Sequence, residues 1–188
     1  TGRGVSGSPH IAAPAELRLF PLQSVLFPGA TLPLQVFEER YRLLVAECIE
    51  EGAPFGVALI AGGEEVGDDA VEPHTVGASA RITMHETLPD GRILLRAEGE
   101  RRFRIRALHR DRPYLWAEVE YLENGGTAPT DLAAGLRGDY ARLRRLRAAA
   151  GGGYERDPAL PTSDGVLADR VAAEGERFWP LEELQRTL

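Results

Sequence analysis

Leu19-Phe20-Pro21-Leu22-Gln23-Ser24-Val25-Leu26-Phe27-Pro28-Gly29-Ala30-Thr31-Leu32-Pro33-Leu34-Gln35-Val36-Phe37-Glu38-Glu39-Arg40-Tyr41 decides the fold of this chain. From Glu16 apolar residues alternate with Arg18, Pro28-Gly29 marks a turn, and Thr31 to Phe37 is a second extended run. Pro33 inside that run predicts an edge strand or a bulge, since proline cannot donate to a ladder. A helix is predicted over about Glu39 to Glu51 with Gly52 as its stop. Phe37, Tyr41, Leu44, Val45 and Cys48 recur at helical spacing and predict one buried stripe.

Working outward, residues 1–15 are Gly-, Ser- and Pro-rich without periodicity and read as a disordered tail. Phe55 to Ala61 is an apolar run suited to a buried strand, and Gly62 to His74 reads as an acidic mobile loop. Gly77 to Leu88 ends in Pro89-Asp90-Gly91, a hairpin signal because Asp-Gly tolerates positive φ. Arg92 to Ala97, Arg101 to His109 and Tyr114 to Leu122 read as further strands. About six short strands with one early helix predict an α+β fold built on a small closed or half-closed β-barrel over residues 16–124. Composition then shifts. Residues 125–188 read as helical, with Leu132, Leu136, Tyr140, Leu143 and Leu146 at helical spacing in Asp131 to Ala150. Two more helices are predicted near Ser163 to Glu174 and from Pro180, where Phe178-Trp179 would form a hydrophobic staple.

Composition bounds the chemistry. The chain has 188 residues, long enough to bury about 70% of its unfolded surface. All 22 basic residues are arginine, so no Walker A lysine is available. One cysteine, Cys48, excludes an internal disulfide, and its place on the helix stripe favours an inert buried thiol. A net charge of −7 works against binding a phosphate backbone. No apolar run approaches the roughly 20 residues that span a bilayer, and a cytoplasmic location is expected.

Ser24, Ser79 and Ser163 lie in no Gly-x-Ser-x-Gly elbow, and His74, His85 and His109 have no sequence-evident pairing. Four scattered histidines give no zinc spacing, so no metal or cofactor is expected. Arg102, Arg104 and Arg106 fall on one strand face and admit two readings. They form an RNA-binding surface, or an ion-paired solvated face with Glu98, Glu100, Asp111, Glu118 and Glu120. Tyr114 and Trp116 are predicted to share the polar face of their strand, to contact a peptide or be covered by the C-terminal helices. Phe27, in an apolar turn, is a third candidate peptide contact or a plug for the barrel end.

Three ordered motifs carry a family resemblance: the opening stretch, Val76-Gly77-Ala78 through Asp90-Gly91-Arg92, and Glu98-Gly99-Glu100-Arg101-Arg102-Phe103-Arg104-Ile105. Together they resemble the N-terminal domain of Lon proteases over most of residues 17–122. The resemblance implies a PUA-like pseudo-barrel followed by a helical region, in a stand-alone form without ATPase or protease domains. A Ser–Lys dyad of the family's kind would need a lysine that the chain lacks. The implied function is non-catalytic recognition of unfolded or hydrophobic protein segments, with a protease or chaperone as a further partner. RNA binding through Arg102, Arg104 and Arg106 is the alternative, nucleic acid being disfavoured by net charge.

Overall fold

The computed structural model describes residues 15–63, 67, 70–123, 129–153, 155, 158–175 and 180–188. The element order is β1 (Ala15–Leu22), β2 (Thr31–Val36), α1 (Glu39–Glu51), β3 (Phe55–Gly62), β4 (Glu72–Pro73), β5 (Val76–Thr87), β6 (Ile93–His109), β7 (Trp116–Tyr121), α2 (Thr130–Ala150), α3 (Asp164–Gly175) and α4 (Leu181–Thr187). The strands run in the order β1-β7-β6-β5-β3-β4, and a parallel β1–β3 pairing joins β1 back to β3. That pairing turns a mostly antiparallel sheet into a pseudo-barrel. β2 lies off this ring and pairs with the first half of β6 alone among the described residues.

The barrel closes tightly because glycines stand where strands meet large inward side chains. A Cβ on Gly56 would lie 2.7 Å from Leu19 Cδ2, and one on Gly77 would lie 2.3 Å from the Val57 carbonyl and 2.7 Å from the Phe103 ring. Phe103, fully buried, fills the space these glycines leave. Ser79, the middle candidate nucleophile, is also fully buried. Its hydroxyl donates to Arg101 O at 3.3 Å and accepts from Arg101 N–H at 3.2 Å. It thereby plugs the β5–β6 bulge between Ala78 and Ala80.

α1 covers one opening of the barrel. Tyr41, Leu44, Val45 and Cys48 are its buried residues, spaced i, i+3, i+4 and i+7 as an amphipathic helix requires. Tyr41 stacks on Phe20 with ring centroids 4.1 Å apart. Gly52 ends the helix at φ 62°, a left-handed conformation that costs glycine little, and Ala53 N–H donates to Cys48 O at 3.0 Å. Burial pushes the Cys48 thiol up to about 11, so it stays protonated and unreactive near neutrality. Phe37, expected in the buried stripe, is 51% exposed, because it precedes the helix and points away from its inward face.

Among the described residues the sheet has seven strands where about six were expected. The segment read as Gly62 to His74 loop contains β4, which pairs with β3. The runs Arg92 to Ala97 and Arg101 to His109 are one continuous β6, since Gly99 continues the ladder instead of breaking it. The hairpin at Asp90-Gly91 forms as read, with Gly91 at φ 83° and Leu88 N–H donating to Arg92 O at 2.8 Å. Ala15, placed in the tail, is the first residue of β1. The rest of the expected tail, the 124/125 boundary and the Phe178–Trp179 staple lie outside the described residues. In α2 only Ala133 and Tyr140 are buried, while Leu132, Leu143 and Leu146 of the expected stripe are exposed.

Candidate client-binding groove

The turn between β1 and β2 builds the most promising surface. Val25 and Phe27 point inward and pack with Leu59 and with Ala172 of α3. Phe27 is only 1% exposed, so it anchors the turn and presents no ring to solvent. The turn is fixed to the barrel by main-chain bonds: Gly29 N–H donates to Gly99 O at 2.7 Å, and Gly99 N–H to Ala30 O at 2.9 Å. Gly99 must be glycine for this approach, since a Cβ there would sit 2.3 Å from Phe27 O. The turn, the start of β2 and α3 then enclose a groove of about 300 Å³. Its apolar lining comes from Val25, Leu26, Ala30, Leu32 and Ala173, and Arg170 and Glu174 stand at its margin.

α3 holds its place as the groove wall through charge. Asp169 is fully buried and forms an ion pair with Arg102 of β6, itself largely shielded. Burial raises the Asp169 carboxyl above the ordinary carboxylate range, and the Arg102 guanidinium opposes that rise. Glu174 is engaged by Tyr140 Oη and Arg147, which joins α2 to α3. Gln185 of α4 donates to Val76 O at 2.8 Å, a further link between the C-terminal helices and the barrel.

Tyr114 and Trp116, expected to share one polar face, take opposite roles. Tyr114 precedes β7 and turns inward, 4% exposed, where it joins the core beneath α1. Its hydroxyl donates to Glu47 of α1 and accepts from Arg18 Nε at 3.2 Å, while Arg18 also reaches Glu47 at 2.9 Å and Glu51 at 2.6 Å. The Tyr114 hydroxyl is the main cause holding the Glu47 carboxyl below its usual range. Trp116 stays half-buried on β7, stacked on His109 at 4.0 Å with the Arg112 guanidinium 4.4 Å above its ring. Its indole N–H donates to Asp111 at 2.7 Å. Among the described residues the cover on these rings comes from α1 and local side chains. Phe27, Tyr114 and Trp116 do not converge on one surface.

A family model described as the ATP-dependent protease La (LON) substrate-binding domain matches residues 16–172. The chain belongs to the Lon substrate-binding domain family. It is 30% identical to Lon protease of Anaeromyxobacter dehalogenans over 186 residues, covering 93% of this chain and 21% of that protein. Lon protease 2 of Myxococcus xanthus is likewise 30% identical, with 93% and 22% covered. The chain thus spans about a fifth of the length of the Lon proteases it matches. A Lon N-terminal domain protein from Xanthomonas campestris has a similar structure, with TM-score 0.54, 33% identity, and 86% of this chain and 91% of that one covered. The N-terminal domain of Mycobacterium avium complex Lon protease shares the fold at TM-score 0.59 and 18% identity, with 92% and 95% covered.

In this Lon substrate-binding domain the arginine row is divided. Arg102 is committed to Asp169 and Arg106 to Glu120, and Arg104 alone of the three has no ion pair among the described residues. The match extends through most of α3 and takes in Arg170 of the groove wall, and Ala173 and Glu174 follow its last matched residue. Among the described residues no three His, Cys, Asp or Glu side chains are grouped to hold a metal ion, and no helix is long and apolar enough to cross a membrane. Sequence reasoning missed Arg170 and Ala173 because their relation to the turn depends on how α3 docks.

Proposed function

We propose that this chain is a non-catalytic recognition module that captures exposed apolar segments of unfolded proteins in the groove beside the β1–β2 turn. The observation that carries this reading is the groove itself, an apolar concavity within a domain whose family is named for substrate binding. Burial of apolar surface yields about 25 cal/mol per Å², most of it offset by the cost of ordering a flexible client. Binding is therefore weak and tolerant of sequence, which suits a module that must meet many clients.

The test is fluorescence anisotropy of a labelled, permanently unfolded polypeptide titrated with the protein at low and high salt. Binding should depend weakly on salt and should drop when Ala173→Arg fills the groove, with the thermal melt of the variant confirming its fold. The polypeptide should remain uncut throughout. Binding unaffected by Ala173→Arg would place clients elsewhere, and cleavage would overturn the non-catalytic reading.

A further inference from the structure

β2 has one open edge, and the groove lies at the end of it. Gly99 N–H donates to Ala30 O, which makes residues 30 and 99 a hydrogen-bonded pair of the antiparallel β2–β6 ladder. Hydrogen-bonded and non-bonded pairs alternate, so Leu32, Leu34 and Val36 bond to β6. The main-chain groups of Thr31, Pro33 and Gln35 then face away from it. No strand or loop among the described residues bonds to that side of β2. The open edge offers donors at Thr31 and Gln35 and acceptors at Thr31, Pro33 and Gln35. Pro33 is tolerated there because its missing N–H takes nothing from the ladder to β6.

The margin of the groove carries an uneven charge. The Glu174 carboxylate is satisfied by Tyr140 and Arg147. Arg170, exposed on the same wall of α3, has no ion pair among the described residues. A bound segment therefore meets unsatisfied main-chain groups along β2, an apolar recess at Leu26, Leu32 and Ala173, and a positive charge beside that recess.

We propose that β2 takes an extended client segment as an added strand, with an apolar residue in the groove and an acidic residue paired to Arg170. This rests on the recognition reading above and specifies its ligand: an unfolded stretch alternating in apolar residues with an acidic flank. Strand addition explains tolerance of sequence, because main-chain bonds supply the affinity and alternate side chains the selection. The acidic flank supplies the charge complementarity that favours this occupant over a basic one, and the open main-chain edge favours an extended segment over a helical one.

The experiment uses soluble synthetic peptides that alternate Val and Thr, one flanked by Glu and one by Lys, titrated against the full chain. The Glu-flanked peptide should bind more tightly, and Arg170→Glu should reverse that order. N-methylation of the peptide backbone should weaken binding at every second position only, by on the order of tenfold where a bond to β2 is lost. Binding that is insensitive to N-methylation, or sensitive at every position alike, overturns strand addition and leaves the recognition reading standing. Equal binding of the two peptides to the native chain overturns the role of Arg170. Failure of both peptides to bind while unfolded polypeptide does bind overturns this ligand assignment, and failure of all three overturns the recognition reading with it.

Discussion

Arg102 Nη1 on β6 lies 3.2 Å from Asp169 Oδ2 on α3, across 67 residues of sequence, with Asp169 wholly removed from solvent. This contact sets the position of the helix that walls the groove, so it links the stability of the C-terminal helices to the shape of the candidate site.

Replacing Asp169 with Ala should be the costliest single change in α3. Breaking a buried ion pair by removing one partner costs about 3 kcal/mol or more, since the remaining charge keeps its desolvation. Chemical denaturation would show the loss. Limited proteolysis should cut the C-terminal helices earlier in the variant than in the native chain.

Two carboxyls give the pH dependence opposite signs. Asp169 titrates above its ordinary 3.8, chiefly through burial, so the folded chain holds a proton that the unfolded chain has released. Its effect is to lower stability as pH rises from about 3.8 through the folded-state value. Glu47 titrates below its ordinary 4.5 because the Tyr114 hydroxyl bonds it, so its stabilisation is full above that value and lost as pH falls. Glu47→Gln should flatten the acid-side loss, and Asp169→Asn should remove the opposing slope. Denaturant midpoints measured across about pH 3 to 6 would separate them.

Tyr114→Phe should destabilise the fold without changing client affinity. It removes a hydroxyl that bonds both Glu47 and Arg18, a loss of about 1.5–3 kcal/mol for bonds to charged groups. The ring is only 4% exposed, so a change in client affinity at constant fold would contradict its placement beneath α1.

Gly99→Ala should damage both stability and binding. The new methyl meets the Phe27 carbonyl at 2.3 Å, a backbone atom that cannot swing aside. Overpacking of this kind costs about 1–3 kcal/mol and should shift the β1–β2 turn that shapes the groove. A melt together with client titration would show both effects, whereas a variant with native binding would mean that the turn is not part of the site.

Local signals were legible from the chain, and long-range ones were not. Gly52 and the i, i+3, i+4 spacing of Tyr41, Leu44 and Val45 define α1 without help from the rest of the fold. Asp90-Gly91 likewise specifies its own turn. The two runs Arg92 to Ala97 and Arg101 to His109 join across Gly99, which admits a neighbouring backbone that only the folded chain brings there. Phe27 could be read from its turn either as a peptide contact or as a plug, and the docking of α3 and β3, which buries it, is not legible in the local sequence. Of the α2 stripe, Tyr140 is buried and Leu136 half-buried as spaced, yet Leu132, Leu143 and Leu146 are exposed, because the inward side of α2 is centred on Ala133 and Tyr140. The partner of Arg102 was invisible for the same reason: nothing within a strand's own sequence announces a carboxylate 67 positions away.

Pro33 has a consequence for the chain's behaviour towards its own copies. An open strand edge is a template for edge-to-edge polymerisation, and two identical edges pair through reciprocal donors and acceptors. A proline at the centre of a six-residue edge withholds the central donor from both partners at once. A foreign segment can still donate to the Pro33 carbonyl, so under the strand-addition proposal the residue that leaves room for a client obstructs homotypic pairing. Pro33→Thr should therefore self-associate more strongly with concentration than the native chain, and sedimentation velocity of the two would detect the change.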